Sequence, residues 1–289
     1  MGIGQLLTMQ SQEIKKIEPS NSLKIKISPY NLTLVVVKHL SGKVLNYFNY
    51  DFEKSIPEED LSIKLKSAIE ESNIDSSNIL SVKLYVNNKL SCIIPENLFD
   101  EKLGLEYLKY NSKLLKNDTS SHDTIEEIEA VNVYLPYINV NNFILDKYGA
   151  FDYYHYSTIF IKKILKINNR SKKTNLYLNF DRNSFQISII KTQKLIYFNT
   201  FKFTSPNDAL YFILYVIKQN KINTNKSEIL CFGNIIENDE KHKLFSQFIN
   251  NIKIKRFEKE NIEDVEIKKE DVDFLIIWDL YLEYTGVEK

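Results

Sequence analysis

Glycine is scarce in this chain of 289 residues, which contains only seven glycines. Sites that hold phosphate through the backbone depend on glycine, because a residue without a side chain lets N–H groups approach the oxygens closely. The sequence also has no P-loop, no GxGxxG fingerprint and no GxSxG nucleophile elbow. It therefore excludes the nucleotide-binding and hydrolytic sites that these motifs build.

Cysteine and histidine are equally sparse, and neither supports a metal site or a disulfide framework. The two cysteines, Cys92 and Cys231, both lie in apolar runs, so we expect buried free thiols in a reducing compartment. The four histidines lie too far from one another and from cysteine for metal-ligand spacing: His39, His122, His155 and His242. We expect His39 and His122 to be exposed and His155 to be packed or to start a helix.

The chain has no excess of charge and no long apolar run. Lys plus Arg and Asp plus Glu number 38 each, which argues against a dedicated nucleic-acid surface. Basic runs at 162–173 and 251–256 are offset by an acidic run at 257–271, so we expect solvated faces. No segment reaches the ~18 apolar residues of a membrane helix, and the N-terminus lacks the layout of a secretory signal. These features predict a soluble cytoplasmic protein with no membrane contact.

Apolar residues, at 43% of the chain, are numerous enough for a sizeable core. Aromatic residues contribute 12%, which is typical of an ordered protein and not of a disordered one. The length suggests about two domains or lobes.

A repeated pattern of strands is the strongest feature of the sequence. Residues 23–52 and 176–203 each contain three alternating or apolar runs separated by tight polar turns. Period-two alternation of this kind is the signal of half-buried strands. Both segments end in the phrase Tyr-Phe-Asn, at 47–49 and 197–199.

The similarity continues into the following helix and strand. Each copy places Ser and Pro ahead of acidic residues, and Ser205 with Asp208 fits a capping box in which Pro206 is the first helical residue. A strand follows each helix, at 81–88 and 227–234. The second copy continues with a helix over 238–250 and a strand over 252–257. The shared order of elements favours a structural duplication over chance similarity.

A connecting region separates the copies. It predicts a helix over 97–116 with Gly104 as a weak point, an exposed loop over 117–127, and a strand that ends near Leu135. A helix over 139–148, capped by Gly149, and a longer apolar helix that includes Ile159 and Ile164 then follow. The aromatic cluster at 152–156 fits either a subdomain boundary or a docking surface. The segment 271–284 has the spacing of a core-packing helix.

Three antiparallel strands followed by helix, strand, helix and strand is the plan of the ribonuclease-H-like fold. Two such halves in one chain form the actin-like ATPase arrangement, an α/β architecture with mixed sheets. The phrases at 133–158, 195–219 and 232–235 are similar to an uncharacterised bacterial family to which this fold is assigned. The resemblance covers roughly residues 20–257 and implies two lobes, the first over 20–170 with a helical insertion and the second over 171–289.

The resemblance also implies where a nucleotide would bind. In actin-like ATPases two hairpin turns that carry Asp and Gly face each other across a cleft, and a glycine-rich turn cups the adenosine. The first turn here, Ile27–Leu32, has neither Asp nor Gly, and Pro29 removes a backbone donor. The second turn, 181–184, keeps one carboxylate, and the third, 232–234, keeps one glycine.

Four residues of these turns are the candidate ligands of a vestigial nucleotide cleft: Asp181, Asn183, Gly233 and Asn234. For Asp181 an ordinary turn position or an ion pair with Arg182 is favoured over the vestigial ligand role. The sequence identifies no catalytic residue, no metal site and no cofactor.

Three functions fit these observations. The favoured hypothesis is a non-catalytic protein of actin-like fold that acts as a cytoplasmic scaffold or interaction module with protein partners. The alternative is an active ATPase or sugar-kinase-like phosphotransferase that uses ATP and Mg²⁺, in which Asp181 organises the metal and Gly233 and Asn234 line the adenosine. The third, an RNA-associated ribonuclease-H-like module, needs several clustered carboxylates, and only Asp181 is suitably placed.

Overall fold

The computed structural model describes residues 19–255, apart from 40, 111–113, 169–170 and 172. Within these residues the chain forms three sheets and six α-helices. The first part of the chain contains β1 (Asn21–Ile27), β2 (Asn31–Lys38), β3 (Val44–Asp51), α1 (Leu61–Glu71), β4 (Ile79–Val86), β5 (Ser91–Pro95), α2 (Gly104–Leu108), β6 (Ser121–Ile125), β7 (Ala130–Tyr134), α3 (Ile138–Tyr148), β8 (Asp152–His155) and α4 (Tyr156–Asn168). The second part contains β9 (Thr174–Phe180), β10 (Ser184–Lys191), β11 (Lys194–Lys202), α5 (Pro206–Gln219), β12 (Ile229–Gly233), α6 (Glu240–Phe248) and β13 (Ile252–Ile254).

Two five-stranded sheets share one topology. Their strand orders are β3-β2-β1-β4-β8 and β11-β10-β9-β12-β13. In each sheet the first three strands are antiparallel, and the next two are parallel to the central strand. This is the duplicated mixed α/β plan that the sequence predicts.

The repeated Tyr-Phe-Asn phrase is not aligned in the two ladders. Asn31 pairs with Asp51 in the first sheet, and Ser184 pairs with Lys202 at the same place in the second. Phe48 lies three residues before Asp51, and Asn199 lies three residues before Lys202, so these two residues are equivalent in the two sheets. The two Tyr-Phe-Asn phrases are therefore displaced by one residue relative to each other. The duplication is therefore one of topology and strand order.

The connecting region differs from its prediction. Among the described residues of the expected 97–116 helix, only 104–108 are α-helical, preceded by two short 3₁₀ turns. The expected loop contains strand β6. Strands β5, β7 and β6 form a separate antiparallel sheet in that order. The strand β6 escapes detection because its inward residues are Asp123 and Ile125, so a buried carboxylate interrupts the apolar alternation.

Strand β8 also lies outside the sequence prediction, and it explains the aromatic cluster at 152–156. It forms the fifth strand of the first sheet and leads directly into α4. His155 is fully buried at this junction, which confirms a packed histidine at a helix start. The cluster therefore lies where the first sheet meets α4, with Tyr153 and Tyr154 half-buried.

Helix α4 forms the centre of the molecule. Ten of its thirteen residues are buried, and its core cluster joins β2 of the first sheet to β10 and β12 of the second. Polar contacts reach both sides: Asn132 donates to Thr158 at 2.9 Å, and Gln186 donates to Ser157 at 2.7 Å. The two outer cores lie on the far faces of the sheets, against α1 and α3 and against α5 and α6.

Several predicted boundaries are confirmed. Gly149 ends α3 at a positive φ of 82°, and its N–H donates to Leu145. Ser205 and Asp208 form the capping box, with Pro206 in the first turn of α5. The end of the predicted 252–257 strand and the predicted 271–284 helix lie outside the described residues.

A buried polar network joins the small sheet to α4. The Asp123 carboxylate accepts hydrogen bonds from Tyr134 at 3.0 Å, from the His155 backbone at 2.8 Å and from Thr158 at 2.6 Å. Burial raises the pKa of the Asp123 carboxyl, although these three bonds oppose the shift. Burial lowers the pKa of His155 to about 3, so the native protein holds this imidazole neutral.

The neutral His155 predicts a loss of stability in mild acid. Below the ordinary histidine pKa of about 6.5 the unfolded chain takes up a proton that the native chain does not, so stability falls as pH falls. Between pH 7.5 and 5.5 wild type is expected to lose about 1.4 kcal/mol more than His155→Gln, because the other titrating groups cancel in the comparison. Urea unfolding at the two pH values measures this difference, and the exposed His122→Gln serves as the control. An identical pH dependence in wild type and His155→Gln would contradict the prediction.

The α5 capping box predicts a local stability effect. Ser205→Ala removes the oxygen that accepts from the Asp208 N–H at 3.2 Å, and it is expected to lower the unfolding free energy by about 1 kcal/mol. Thermal melting followed by circular dichroism measures the change. Ser246→Ala, at an exposed position within α6, is the matched control and is expected to melt like wild type.

Candidate functional site

The Asp181 turn of the second lobe contacts the first lobe next to the hairpin turn of that lobe. Asn87, directly after β4, donates to Asp181 Oδ2 at 2.6 Å. Lys26 of β1 lies with its Nζ 3.8 Å from the same oxygen. The structure therefore brings Asp181 to the interface between the lobes, where the resemblance predicts it.

Lys26 reaches Asp181 because of the alternation in β1. Leu23, Ile25 and Ile27 face the outer core, which turns the intervening lysines toward the second lobe. Lys26 is buried, and its ammonium lies 4.6 Å from the ring centroid of Tyr156, in cation–π contact. An acidic group on one lobe is thus matched by a buried cation from the other.

The Asp181 turn is also held internally. The Asp181 N–H donates to the Ser184 carbonyl at 2.8 Å, and Asp181 Oδ1 accepts from the Arg182 N–H at 2.8 Å. The Arg182 guanidinium instead donates to the Phe52 carbonyl of the first lobe. The ion pair that the structure gives Asp181 is therefore with Lys26, and not with Arg182 as one interpretation of the sequence predicts. Asn183 accepts from the Phe203 N–H at 3.1 Å through its carbonyl.

The first hairpin turn closes on its own serine. The hydroxyl of Ser28, which is buried, accepts from the N–H of Tyr30 at 3.2 Å and of Asn31 at 3.0 Å. Proline supplies no N–H at position 29, and the Pro29 and Tyr30 carbonyls accept from Ile56 and Phe52. The backbone donors that a phosphate would require at Tyr30 and Asn31 are already engaged.

Gly233 of β12 allows the backbones of β9 and β12 to approach each other closely. Its φ is +75°, and a Cβ built there would lie 2.0 Å from the Phe180 carbonyl oxygen. The next N–H, of Asn234, donates to that oxygen at 2.8 Å. The candidate residues 233 and 234 are therefore tied to the strand that ends just before Asp181.

Lys241 of α6 completes this third turn. Its ammonium donates to the Asn234 carbonyl and lies 5.9 Å from the Phe180 ring centroid. Burial lowers the pKa of Lys241. The side chain of Asn234 is in an exposed residue, so it remains accessible at this turn.

Four residues of the site were missed by the sequence reasoning: Lys26, Asn87, Lys241 and Ser28. The sequence does carry a signal for Lys26, because lysines at alternate positions of an apolar central strand indicate that the strand has a second, polar face. Asn87 and Lys241 carry no local signal, since their contacts depend on how the lobes and α6 are placed. Among the described residues, no group of His, Cys, Asp and Glu could hold a metal ion.

One of the two cysteines, Cys92, is less buried than the sequence predicts. Both cysteines are free, as expected. Cys231 is buried in β12, but Cys92 is only half-buried, because β5 is an edge strand of the small sheet. Burial raises the pKa of Cys92 to about 11, so this thiol is protonated at neutral pH.

Comparison with known proteins identifies the family. Residues 10–252 match the family model described as "Protein of unknown function (DUF3822)", and the chain belongs to this family. No curated protein matches the chain.

Solved structures establish the class of fold. A protein from Bacteroides thetaiotaomicron, described as having an actin-like ATPase fold and unknown function, is 18% identical, with a TM-score of 0.71 over 92% of this chain and 96% of that one. The PilM-PilN type IV pilus biogenesis complex is 11% identical, with a TM-score of 0.57 over 94% of this chain and 100% of that one. The chain therefore has the actin-like ATPase fold. No helix among the described residues is long and apolar enough to cross a membrane.

The Gly233 geometry predicts a large packing penalty. Gly233→Ala would place a Cβ against the Phe180 carbonyl, in addition to the cost of a positive φ, and is expected to lower the unfolding free energy by more than about 2 kcal/mol. Gly149→Ala is the matched control, since Gly149 also has a positive φ but no atom within 4 Å of the added Cβ. Urea unfolding should show the greater loss at position 233. Equal losses would mean that the strands separate readily at this point.

Proposed function

We propose that this protein is a non-catalytic member of the actin-like fold that works in the cytoplasm as an interaction or scaffold module. The observation that carries the proposal is the engagement of Asp181, the only carboxylate in the three turns. A magnesium-organising carboxylate needs open oxygens toward the cleft. Here Oδ2 contacts Asn87 and Lys26, and Oδ1 accepts from the Arg182 backbone.

The first turn supports the same proposal independently. A phosphate cradle needs N–H groups that point into the cleft and wait for oxygen atoms. The Ser28 hydroxyl takes the two N–H groups that follow Pro29. A nucleotide would have to displace these bonds and the Lys26–Asp181 ion pair before it could bind.

A protein partner fits the proposal better than a nucleic acid does. The balanced charge of 38 basic and 38 acidic residues gives no general attraction to phosphate backbones. The structural similarity extends to a protein whose name places it in a complex with PilN. The free thiols are consistent with a reducing compartment.

Calorimetric titration of the full chain tests the proposal. Mg-ATP, Mg-GTP and their diphosphates are each expected to give no binding heat, and phosphate release should not exceed the uncatalysed rate. The alternative, an ATPase or phosphotransferase, requires tight binding and a turnover that Asp181→Ala abolishes. That result would overturn the proposal.

The same Asp181→Ala variant separates a structural role from a catalytic one. Removing the carboxylate leaves the buried Lys26 ammonium without this partner, so the unfolding free energy is expected to fall by about 1 to 3 kcal/mol. Asp152→Ala, at an exposed position of β8, is the control and is expected to unfold like wild type. An Asp181→Ala protein as stable as wild type would show that the interlobe contact contributes nothing.

A further inference from the structure

A groove separates the small sheet from the second lobe, away from the three turns. It has a volume of about 1130 Å³ and runs between strand β5 and strand β11. Its floor is apolar: Ile93 and Ile128 on one side and Leu195 and Phe198 on the other all pack against the central core while remaining partly exposed. Ile196 is 51% exposed beside them. The groove thus presents apolar surface that the described residues do not cover.

Both walls of the groove are sheet edges. Within the described residues, β5 pairs only with β7, and β11 pairs only with β10. The edge of a sheet presents unpaired N–H and C=O groups that can take an additional strand. An extended segment could therefore pair with the backbone here while its alternate side chains reach the apolar floor.

The hydrogen-bond register shows which groups of β11 face the groove. The Phe203 N–H donates to Asn183 of the neighbouring turn, so Phe203 and every second residue before it point toward β10. The N–H groups of Phe198, Thr200 and Lys202 consequently point outward. The Thr200 N–H donates to Oδ1 of the exposed Asn199 at 2.8 Å, a bond that an added strand would replace. Phe198 and Thr200 line the groove, whereas Lys202 lies beyond it.

The groove also carries an excess of negative charge at one of its ends. Strand β5 starts just after Asn87, which is bonded to Asp181, and β11 ends beside the turn that contains Asp181. The far ends of both strands therefore lie together, away from the turns. Ala130 pairs with Pro95, the last residue of β5, so the turn before Ala130 lies at the far end. The three glutamates of this turn, Glu126, Glu127 and Glu129, are exposed. Lys194 also lies there, with the exposed Lys191 paired to it across the hairpin, so three acidic groups outnumber two basic groups.

We infer that this groove binds an extended segment of a partner protein, with alternate apolar side chains and basic residues at its carboxyl end, as an added strand antiparallel to β11. Antiparallel pairing is the more stable geometry, and it directs the carboxyl end of the segment toward the three glutamates. The inference rests on the proposed function as an interaction module and specifies the chemistry of its partner.

Fluorescence anisotropy with synthetic peptides tests the inference on the full chain. The probe is a fluorescein-labelled nonapeptide of alternating threonine and valine that ends in two arginines. One comparison peptide carries the arginine pair at its amino end, and another ends in two glutamates. The first peptide is expected to bind about tenfold more tightly than either of the others.

Two variants locate the binding, each with a matched control. Thr200→Pro removes an outward N–H, together with its bond to Asn199 Oδ1, without breaking the β10 ladder. Lys202→Pro removes an outward N–H beyond the groove. Glu126→Lys with Glu127→Lys reverses the charge of the far end, and Glu70→Lys with Glu71→Lys reverses an exposed pair on α1. The groove variants are expected to weaken binding of the arginine-ended peptide about tenfold, and the controls should leave it within twofold. Circular dichroism confirms that each variant is folded.

Three results would overturn the inference. One is the absence of binding by any of the peptides at millimolar concentration, and another is binding that none of the groove variants weakens. The third is a different occupant: self-association in sedimentation velocity that Thr200→Pro abolishes, or a carbodiimide cross-link in the monomer between Lys194 and an acidic residue of 256–289. Nucleotide binding in calorimetry would overturn the proposed function and leave the peptide result standing, so the two failures are distinguishable.

Discussion

The contact between Lys26 and Asp181 is the constraint on which the interpretation of this molecule depends. An ammonium on one lobe and a carboxylate on the other are brought to 3.8 Å where both are largely screened from water. Either charge without its partner would be unfavourable at this position, because the desolvation of a charged group costs free energy unless an opposite charge lies nearby. The contact thus joins the two lobes at the end of their boundary where the three turns lie. The hydroxyl of Ser28 takes up backbone donors of the first hairpin turn.

Helix α4 explains why the two halves are joined so extensively. It fills the space between the sheets with apolar side chains from Tyr156 to Leu165, and it connects to the small sheet through Asp123 and Thr158. The small sheet is an insertion between β4 and α3 of an otherwise duplicated plan. It adds the edge strand β5, so that β5 and the neighbouring edge strand β11 form the two walls of a groove. The two halves therefore differ most in the small sheet, which has no counterpart among the described residues of the second half.

Much of the fold was predictable because it depends on local patterns. Alternation such as Leu32, Leu34 and Val36 fixes a strand, and the Ser205–Asp208 capping box fixes the start of a helix. The small sheet was not predictable, since Asp123 breaks the alternation of β6 and is stable in the interior only through bonds from Tyr134, His155 and Thr158. Such bonds join residues far apart in the sequence and leave no periodic signal. The candidate residues Asp181, Asn183, Gly233 and Asn234 could be selected from the sequence, but their partners could not.

The sequence by itself determined the shared order of three strands, a helix and a strand in each copy, and the small number of glycine and carboxylate residues in the turns. Each of these features is set by residue type and spacing along the chain. Only the tertiary structure decided that Lys26 faces Asp181, that Gly233 is required by the Phe180 carbonyl, and that β5 and β11 enclose a groove. These features depend on the packing of elements that are distant in sequence, and the physical reason is that side-chain distances across an interface are fixed by the fold as a whole.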